Sequence, residues 1–415
     1  MKSVTISFLF LFVIYGFSCT ESQEVKPQEY SPIKLGLKSQ EILQSSNKFG
    51  INLFKNIVSA SDEPGNVMIS PLSVSQALGM TWNGAGGATR DEMTEMMGFS
   101  VDNDTELNES NKTIREALLN ADNLVKTNIA NSIWYRNTFH INQGFVDVDR
   151  KFYDAEVKAL DFTDTEGSKK TINNWVNDKT KGKIPKIVDE ITADHIMFLI
   201  NAVYFKGKWK YEFKKDNTVD EPFHFADGKT ENVKMMVQET DLNYFKTSNS
   251  QGVALPYGNG HFRMIVLLPD EDITLKEYVS ELNETTITDN INSFRQNKVN
   301  VWLPKFKFEC NLALKEPLKE LGMKSAFLDG VADLSGMGTP SNLVVSKVKH
   351  KTFVEVEEEG TEAAAVTSVE IGVTSIGPGE NHTIPFIVNR PFLFLIQEKD
   401  TGAILFMGQV YEPRN

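Results

Sequence analysis

Residues 354–374 constrain the fold of this chain more than any other stretch. They read as a strand whose second half is built to be moved. After Val354-Glu355-Val356-Glu357-Glu358-Glu359, Gly360 opens the run Thr361-Glu362-Ala363-Ala364-Ala365-Val366-Thr367-Ser368-Val369-Glu370-Ile371-Gly372-Val373-Thr374. At the two-residue period of a strand, Thr361, Ala363, Ala365, Thr367, Val369, Ile371 and Val373 share one face, and none is charged. Glu362 and Glu370 lie on the other face with Ala364, Val366, Ser368, Gly372 and Thr374, so one side suits a core and the other suits water. The first half carries almost no side-chain bulk, and the run ends in the loop composition Ser375-Ile376-Gly377-Pro378-Gly379-Glu380-Asn381. An alanine-rich run also forms helix, and an alternating stretch beside a Gly-Pro loop also reads as an ordinary hairpin arm. A segment small enough to slide between neighbours, and patterned to stay there, is nonetheless a candidate conformational switch.

The rest of the chain sets the context for such a switch. Its 415 residues, 40% hydrophobic and 24% charged, suffice for a large soluble core. A net charge of −13 argues against nucleic-acid binding, which needs a basic face. Between positions 101 and 126 the acids Asp102, Asp104, Glu106, Glu109, Glu116 and Asp122 outnumber Lys112, Arg115 and Lys126, so no polyanion or heparin site is expected there. Met1-Lys2 and the apolar run Val4 to Phe17 are too short to span a bilayer and predict a signal peptide over 1–18. Cys19, after Gly16-Phe17-Ser18, resembles the cleavage and lipidation site of a bacterial lipoprotein, so a secreted protein and a lipid-anchored one are both consistent. A lipid on Cys19 is the only membrane contact expected. Cys310 is the other cysteine, so the mature chain is expected to hold no internal disulfide and to depend on its core.

Residues 19–38 are polar, contain Pro27 and Pro32, and read as a tether, with the folded domain over 39–415. Ile42, Phe49, Leu53, Phe54, Ile57 and Val58 recur at helical spacing; Ser70-Pro71 supplies a cap and first-turn proline for a second helix stopped by Gly84. Thr163-Asp164-Thr165-Glu166 has the capping-box pattern ahead of Ile172, Trp175 and Val176. The apolar run from His261 to Pro269, the alternation of Val299, Val301 and Leu303, and the pair Phe392 to Ile396 and Ile404 to Val410 around Asp400-Thr401-Gly402 predict strands and a hairpin. Helices and strands mix without a βαβ rhythm, which predicts a single α+β domain and a monomer.

Enzyme and cofactor signatures are missing. No Gly-x-Ser-x-Gly, His-Glu-x-x-His or Gly-x-x-x-x-Gly-Lys motif occurs, and Gly84-Ala85-Gly86-Gly87 reads as a helix stop and turn. The histidines His140, His195, His224, His261, His350 and His382 stand singly, so neither a metal site nor a cofactor is expected. Asn103, Asn108, Asn111, Asn283 and Asn381 lie in Asn-x-Ser/Thr contexts.

Ordered segments along nearly the whole chain, from about residue 40 to 412, resemble the serpins. They run from Asn66-Val67-Met68-Ile69-Ser70-Pro71-Leu72-Ser73 through Asp161-Phe162-Thr163-Asp164-Thr165 and Thr180-Lys181-Gly182-Lys183-Ile184 to Asn201-Ala202-Val203-Tyr204-Phe205-Lys206-Gly207-Lys208-Trp209. Leu303-Pro304-Lys305, Ala332-Asp333-Leu334-Ser335, His350-Lys351, the hinge-like Gly360-Thr361-Glu362-Ala363-Ala364-Ala365, Asn389-Arg390-Pro391-Phe392 and Phe406-Met407-Gly408 follow in family order. The resemblance implies an α+β domain with a large central mixed sheet, smaller sheets, surrounding helices and an exposed reactive loop over about 358–388. It implies a suicide inhibitor and not an enzyme: a protease attacks the loop and becomes acylated, and the freed arm, led by the hinge Gly360 to Thr367, inserts into the central sheet. A new central strand gains roughly ten backbone hydrogen bonds at about 0.5–1.5 kcal/mol each, and burial of Val369, Ile371 and Val373 adds about 1.5–3 kcal/mol apiece at best. The sum, on the order of 10–20 kcal/mol before entropy, is large enough to distort an acylated protease.

Family spacing from the hinge glycine implies a scissile bond between Thr374 and Ser375. Small neutral Thr374 behind Val373 suits elastase-like or subtilisin-like serine proteases, and Val373 also suits papain-like cysteine proteases. No Arg or Lys lies between Gly360 and Asn389, which disfavours trypsin-like targets. The stretch Ser375 to Ile387 is longer than the family's usual one, which leaves the neighbouring bonds at Val373 and Ile376 open. By the same resemblance Asn66, Ser70, Ser73, Asn201 and His350 form a polar cluster beneath the sheet that governs its opening, and Trp209, Lys305 and Glu358 lie where the loop first enters, with a Lys305–Glu358 ion pair. A non-inhibitory binding or carrier role is the alternative; the family associates it with proline, charge or bulk at the inward hinge positions, and none stands there here.

Overall fold

The structure, a computed structural model, describes residues 28–61, 63–100, 103–192, 195–339, 341–361 and 383–414. Cys19, the signal segment, Glu362 to Thr367, and Thr374 with Ser375 lie outside the described residues. The N-terminal half supplies the helices α1 (Leu37–Ser59), α2 (Pro71–Asn83), α3 (Gly87–Met97), α4 (Asp104–Leu119), α5 (Gln143–Tyr153) and α6 (Thr165–Lys179). The strands are β1 (Val67–Ile69), β2 (Val125–Arg136), β3 (His140–Ile141), β4 (Glu156–Leu160), β5 (Met197–Lys208), β6 (Val219–His224), β7 (Thr230–Lys246), β8 (Ser250–Pro256), β9 (Phe262–Pro269), β10 (Arg295–Pro304), β11 (Phe306–Ala313), β12 (Gly338–Thr339), β13 (Lys349–Glu357), β14 (Gly360–Thr361), β15 (Ile384–Ile387), β16 (Phe392–Glu398) and β17 (Ile404–Val410).

Two large mixed sheets and one small one result, the α+β arrangement anticipated above. One sheet runs β1-β17-β16-β9-β8-β7-β10-β15 with β6 paired to β7, the second runs β11-β13-β14-β5-β2-β4, and β12 pairs with β3. Strand chemistry explains their depth. Every residue of β9, β16 and β17 is buried, as their continuous apolar runs require. In β13 burial alternates instead, with His350, Thr352, Val354 and Val356 inward and the intervening Lys351, Phe353 and Glu355 only partly covered. Phe306, Phe392 and Phe394 pack together where the two large sheets share a core. Among the described residues no helix is long and apolar enough to cross a membrane.

Three local expectations change. The stretch read as a tether is in part docked: the Tyr30 hydroxyl donates to Asp400, the Ile33 N–H donates to the same carboxylate at 3.0 Å, and the Tyr30 ring stacks on His261 at 4.4 Å. One aromatic ring and one carboxylate suffice to hold a polar segment that hydropathy alone marks as loose. Helix α6 is capped by Asp164, which accepts from the Gly167 N–H at 3.0 Å, and not by Thr163. Both Thr163 donors are spent on Asp161, at 2.9 and 2.7 Å, and Glu166 pairs with Lys169. Among the Asn-x-Ser/Thr sites, Asn108 and Asn111 are buried on α4, where the folded chain cannot present them to a glycosylating enzyme.

Candidate functional site

The hinge enters the second sheet at its upper end. Gly360 and Thr361 form β14, a two-residue strand antiparallel to both neighbours: Val356 faces Thr361 and Glu357 faces Gly360 on one side, while Lys208 faces Gly360 and Gly207 faces Thr361 on the other. Among the described residues no ladder joins β5 directly to β13; β14 is their bridge. Glycine is required at 360 on two counts. Its φ is +151°, and a Cβ there would lie 2.1 Å from the Gly207 carbonyl oxygen. Gly207 is itself small because a Cβ at that position would lie 2.9 Å from the Tyr257 ring.

Tyr257 holds the first inward hinge residue. Its hydroxyl and that of Thr361 are 2.6 Å apart and buried, and its ring stacks on Trp209 at 4.4 Å and 12°. Burial pushes the Tyr257 phenol upward, so it stays protonated and able to donate. Trp209 grips the turn before β14 twice: its indole N–H donates to the Glu357 carbonyl at 2.9 Å, and its backbone N–H to the Glu359 carbonyl at 3.0 Å. The Phe213 N–H adds a bond to the Glu358 carbonyl at 3.0 Å.

The ion pair expected between Lys305 and Glu358 is present at 2.9 Å, with side chains 17% and 7% exposed. The Thr218 hydroxyl donates to the other Glu358 oxygen at 2.8 Å. Burial alone would raise the Glu358 carboxyl, but the bonds from Lys305 and Thr218 outweigh it and hold the group below its ordinary value. Glu359 turns outward to Lys215 at 2.9 Å.

Lower down, the first turn of α2 is tied to both strands that flank β14. The Ser70 hydroxyl caps the helix by accepting from the Ser73 N–H at 3.3 Å, while the Ser70 N–H donates to Nε2 of His350 on β13 at 2.9 Å. The Ser73 hydroxyl donates to Asn201 on β5, and Asn201 donates on to Asn131 of β2 at 2.6 Å. Asn131 then donates to the Tyr153 carbonyl at 2.7 Å. His350 accepts through Nε2 and is fully buried, and that burial pushes its pKa down to about 4, so it is neutral at pH 7. A cavity of about 310 Å³ is lined by Phe198, Ile200 and Asn201 of β5, by Lys349 and His350 of β13, and by Val74 of α2, so it spans the interval between those two strands.

Asn66 does not join this cluster. Its side-chain oxygen accepts from the Tyr411 and Glu412 N–H groups at 2.7 and 2.9 Å, and its amide donates back to the Glu412 carbonyl at 2.8 Å, so it clamps the end of β17 beside β1. Four residues before Ser70, at the far end of a short strand, it is too distant along the backbone to reach α2's cap. Conversely Tyr257, Thr218, Phe213 and Asn131 belong to the site and no local pattern marks them; β-pairing brings them in from separate parts of the chain. Trp209 is placed near the site by the family resemblance alone.

A sequence model described as Serpin (serine protease inhibitor) matches residues 44–413. The chain is 36% identical over 384 residues to the leukocyte elastase inhibitor of Xenopus laevis, covering 90% of this chain and all of that one. Among solved structures, the thermophilic serpin tengpin in its native state superposes with a TM-score of 0.81 at 34% identity, over 92% of this chain and 96% of tengpin. The thyroxine-binding globulin complex with thyroxine superposes with a TM-score of 0.81 at 25% identity, over 90% of this chain and all of that one. With its hinge seated between β13 and β5 and the family's sequence pattern running through nearly the whole domain, the chain belongs to the serpin family, the serine protease inhibitors.

Proposed function

We propose that this serpin is inhibitory: it traps a protease as a covalent acyl-enzyme by drawing its cleaved loop into the sheet between β5 and β13. The observation that carries the reading is β14, in which Gly360 and Thr361 are paired on both edges at the place where a growing strand would have to begin. The chemistry of the residues that would follow supports it. Ala363, Ala365 and Thr367 share the face of Thr361, which is buried, and they are as small as it is. The name of the leukocyte elastase inhibitor relative agrees with a small neutral residue at Thr374. We assign the scissile bond to Thr374–Ser375, with elastase-like or subtilisin-like serine proteases as targets and papain-like cysteine proteases as a second class. The leader 1–18 fits export, with Cys19 as its lipid attachment point; mass measurement of the mature N-terminus tests that part alone.

The decisive experiment incubates the chain with pancreatic elastase and with subtilisin and looks for a complex that survives SDS, while mass spectrometry locates the cut. A complex together with a cut at Thr374–Ser375 supports the full reading. Clean cleavage without a complex, and without any rise in melting temperature of the nicked chain, overturns the trapping mechanism in favour of a binding role of the kind the thyroxine-binding globulin structure illustrates.

A further inference from the structure

The histidines stand singly in sequence, yet the pairing of β9 with β16 brings one of them to two carboxylates. His261 immediately precedes β9, whose first residue, Phe262, faces Glu398 across the ladder. The His261 carbonyl accepts from the Lys399 N–H at 2.8 Å, which sets the imidazole against the turn between β16 and β17. Nδ1 of His261 then lies 3.7 Å from Oε1 of Glu398 and 3.3 Å from Oδ2 of Asp400. Their side chains are 3%, 0% and 13% exposed. Among the described residues the donor atoms of these three groups all lie within 4.8 Å of one another.

Nδ1 of His261 is buried and has no hydrogen-bond partner among the described residues, an expensive condition for a ring nitrogen aimed at two carboxylates. The carboxylates themselves are held in place. Oε1 of Glu398 accepts from the Asp400 N–H at 3.0 Å, and Oε2 accepts from the Thr401 N–H and hydroxyl at 2.8 and 2.6 Å. The Asp400 carboxylate accepts from the Tyr30 hydroxyl and, at 3.0 Å, from the Ile33 N–H. The cation beside them, Arg263, directs its bonds to Gln397 Oε1 at 3.2 and 2.8 Å. Lys399 places its ammonium over the outer Tyr30 ring at 5.0 Å. One buried and one half-buried carboxylate face Nδ1, while the guanidinium bonds to Gln397 and the ammonium lies outside the Tyr30 ring, so neither cation is hydrogen-bonded to the pair.

Zinc ligands sit about 2.0–2.2 Å from the ion, so two of them on one tetrahedral ion stand about 3.3 Å apart. The 3.3 and 3.7 Å separations from Nδ1 need only a small adjustment, and the two carboxylates, within 4.8 Å of each other, would close in on a shared ion. A nitrogen with two carboxylate oxygens is a donor set for a borderline ion such as zinc and a poor one for calcium or magnesium, which take oxygen alone. We propose that His261, Glu398 and Asp400 form a binding site for a divalent transition-metal ion, closed over by the Tyr30 ring. The ion supplies positive charge in direct contact with both carboxylates and fixes Asp400, which in turn fastens residues 28–36 to the β16–β17 turn.

The test uses the full chain stripped with EDTA and titrated with zinc chloride by calorimetry, with melting followed in parallel. One zinc per chain is expected, with a rise in melting temperature of about 5 °C at a hundredfold excess over Kd. His261→Gln keeps the Asp400–Tyr30 contact and should bind at least about tenfold more weakly; Asp400→Asn gives a second, independent loss. Calcium and magnesium chloride should leave the melting temperature unchanged. No saturable zinc binding by the parent chain, equal binding by His261→Gln, or an equal response to calcium would each overturn the assignment.

Discussion

Thr361→Arg tests the proposed insertion mechanism at the first inward residue of the hinge, which the intact chain already seats between β13 and β5. Thr361 is 4% exposed, its hydroxyl is bonded to Tyr257, and the neighbouring cavity, lined by Lys183, Ile184, Tyr204 and Phe353, is about 20 Å³. That volume holds no guanidinium, and Lys183 already places a cation on its wall. Losing the hydroxyl bond costs about 1 kcal/mol, and an unpaired buried charge costs several kcal/mol more. At about 1.4 kcal/mol per factor of ten, a total of about 4 kcal/mol against the seated hinge slows insertion from it roughly a thousandfold. Deacylation of the protease is untouched, so the partition between trapping and turnover moves by the same factor. The assay is the stoichiometry of inhibition against elastase together with the SDS-stable fraction. The variant should be cut at the parent rate and leave no complex, because the proposed scissile bond, Thr374–Ser375, is thirteen residues on from Thr361 in sequence. Thr361→Val keeps the shape, strands only the Tyr257 hydroxyl, and should shift the partition by about tenfold or less. An arginine variant that inhibits with the parent's stoichiometry would refute insertion led by this residue.

Lys305→Met should destabilise the intact chain by about 1–3 kcal/mol by leaving the Glu358 carboxylate buried without its cation. The folded Glu358 sits below its ordinary value, so its contribution is present above the normal carboxylate range and is lost as pH falls through the folded pKa; melting curves should show the variant's deficit shrinking on acidification, and a pH-independent deficit would contradict the pairing. His350 is lowered from 6.5 to about 4 in the folded chain, so its contribution is full above pH 6.5 and is lost on acidification towards about 4. His350→Gln, which still offers Ser70 an acceptor, should flatten the stability profile across that window, as read by denaturant titration at stepped pH. Gly360→Ala should expel β14 through its contact with the Gly207 carbonyl and give a faster-cleaved, poorly trapping chain; unchanged inhibition kinetics would show that the contact relaxes at no cost.

Much of this architecture is legible in the residues because local chemistry decides it. The continuous apolar run of β9 can only be buried on both faces, the Ser70-Pro71 pair can only start a helix, and the alternation of β13 with the glycine after it marks both the strand and the point where it turns back. What is not legible depends on partners far apart in the chain. Tyr257 meets Thr361 and His261 meets Asp400 only because strands pair, and no spacing rule encodes which strands those are. Asn66 shows the reverse failure: a motif groups it with Ser70, but a strand separates them and its amide faces the chain terminus. The docking of Tyr30 was hidden for a simpler reason, since one well-placed ring outweighs a polar average.

The glycines at 207 and 360, on adjoining strands and one residue out of register, also bear on where alignment comes from. A strand that joins a sheet from solution has to sample offsets, and an offset of one residue turns every side chain to the wrong face. Here a Cβ is missing at a single notch, where the Gly360 φ and the Gly207 carbonyl admit no side chain, so threading from that notch begins already in phase. On the proposed mechanism no time is spent on misaligned pairings, and the race against hydrolysis of the acyl bond is run from a fixed starting mark.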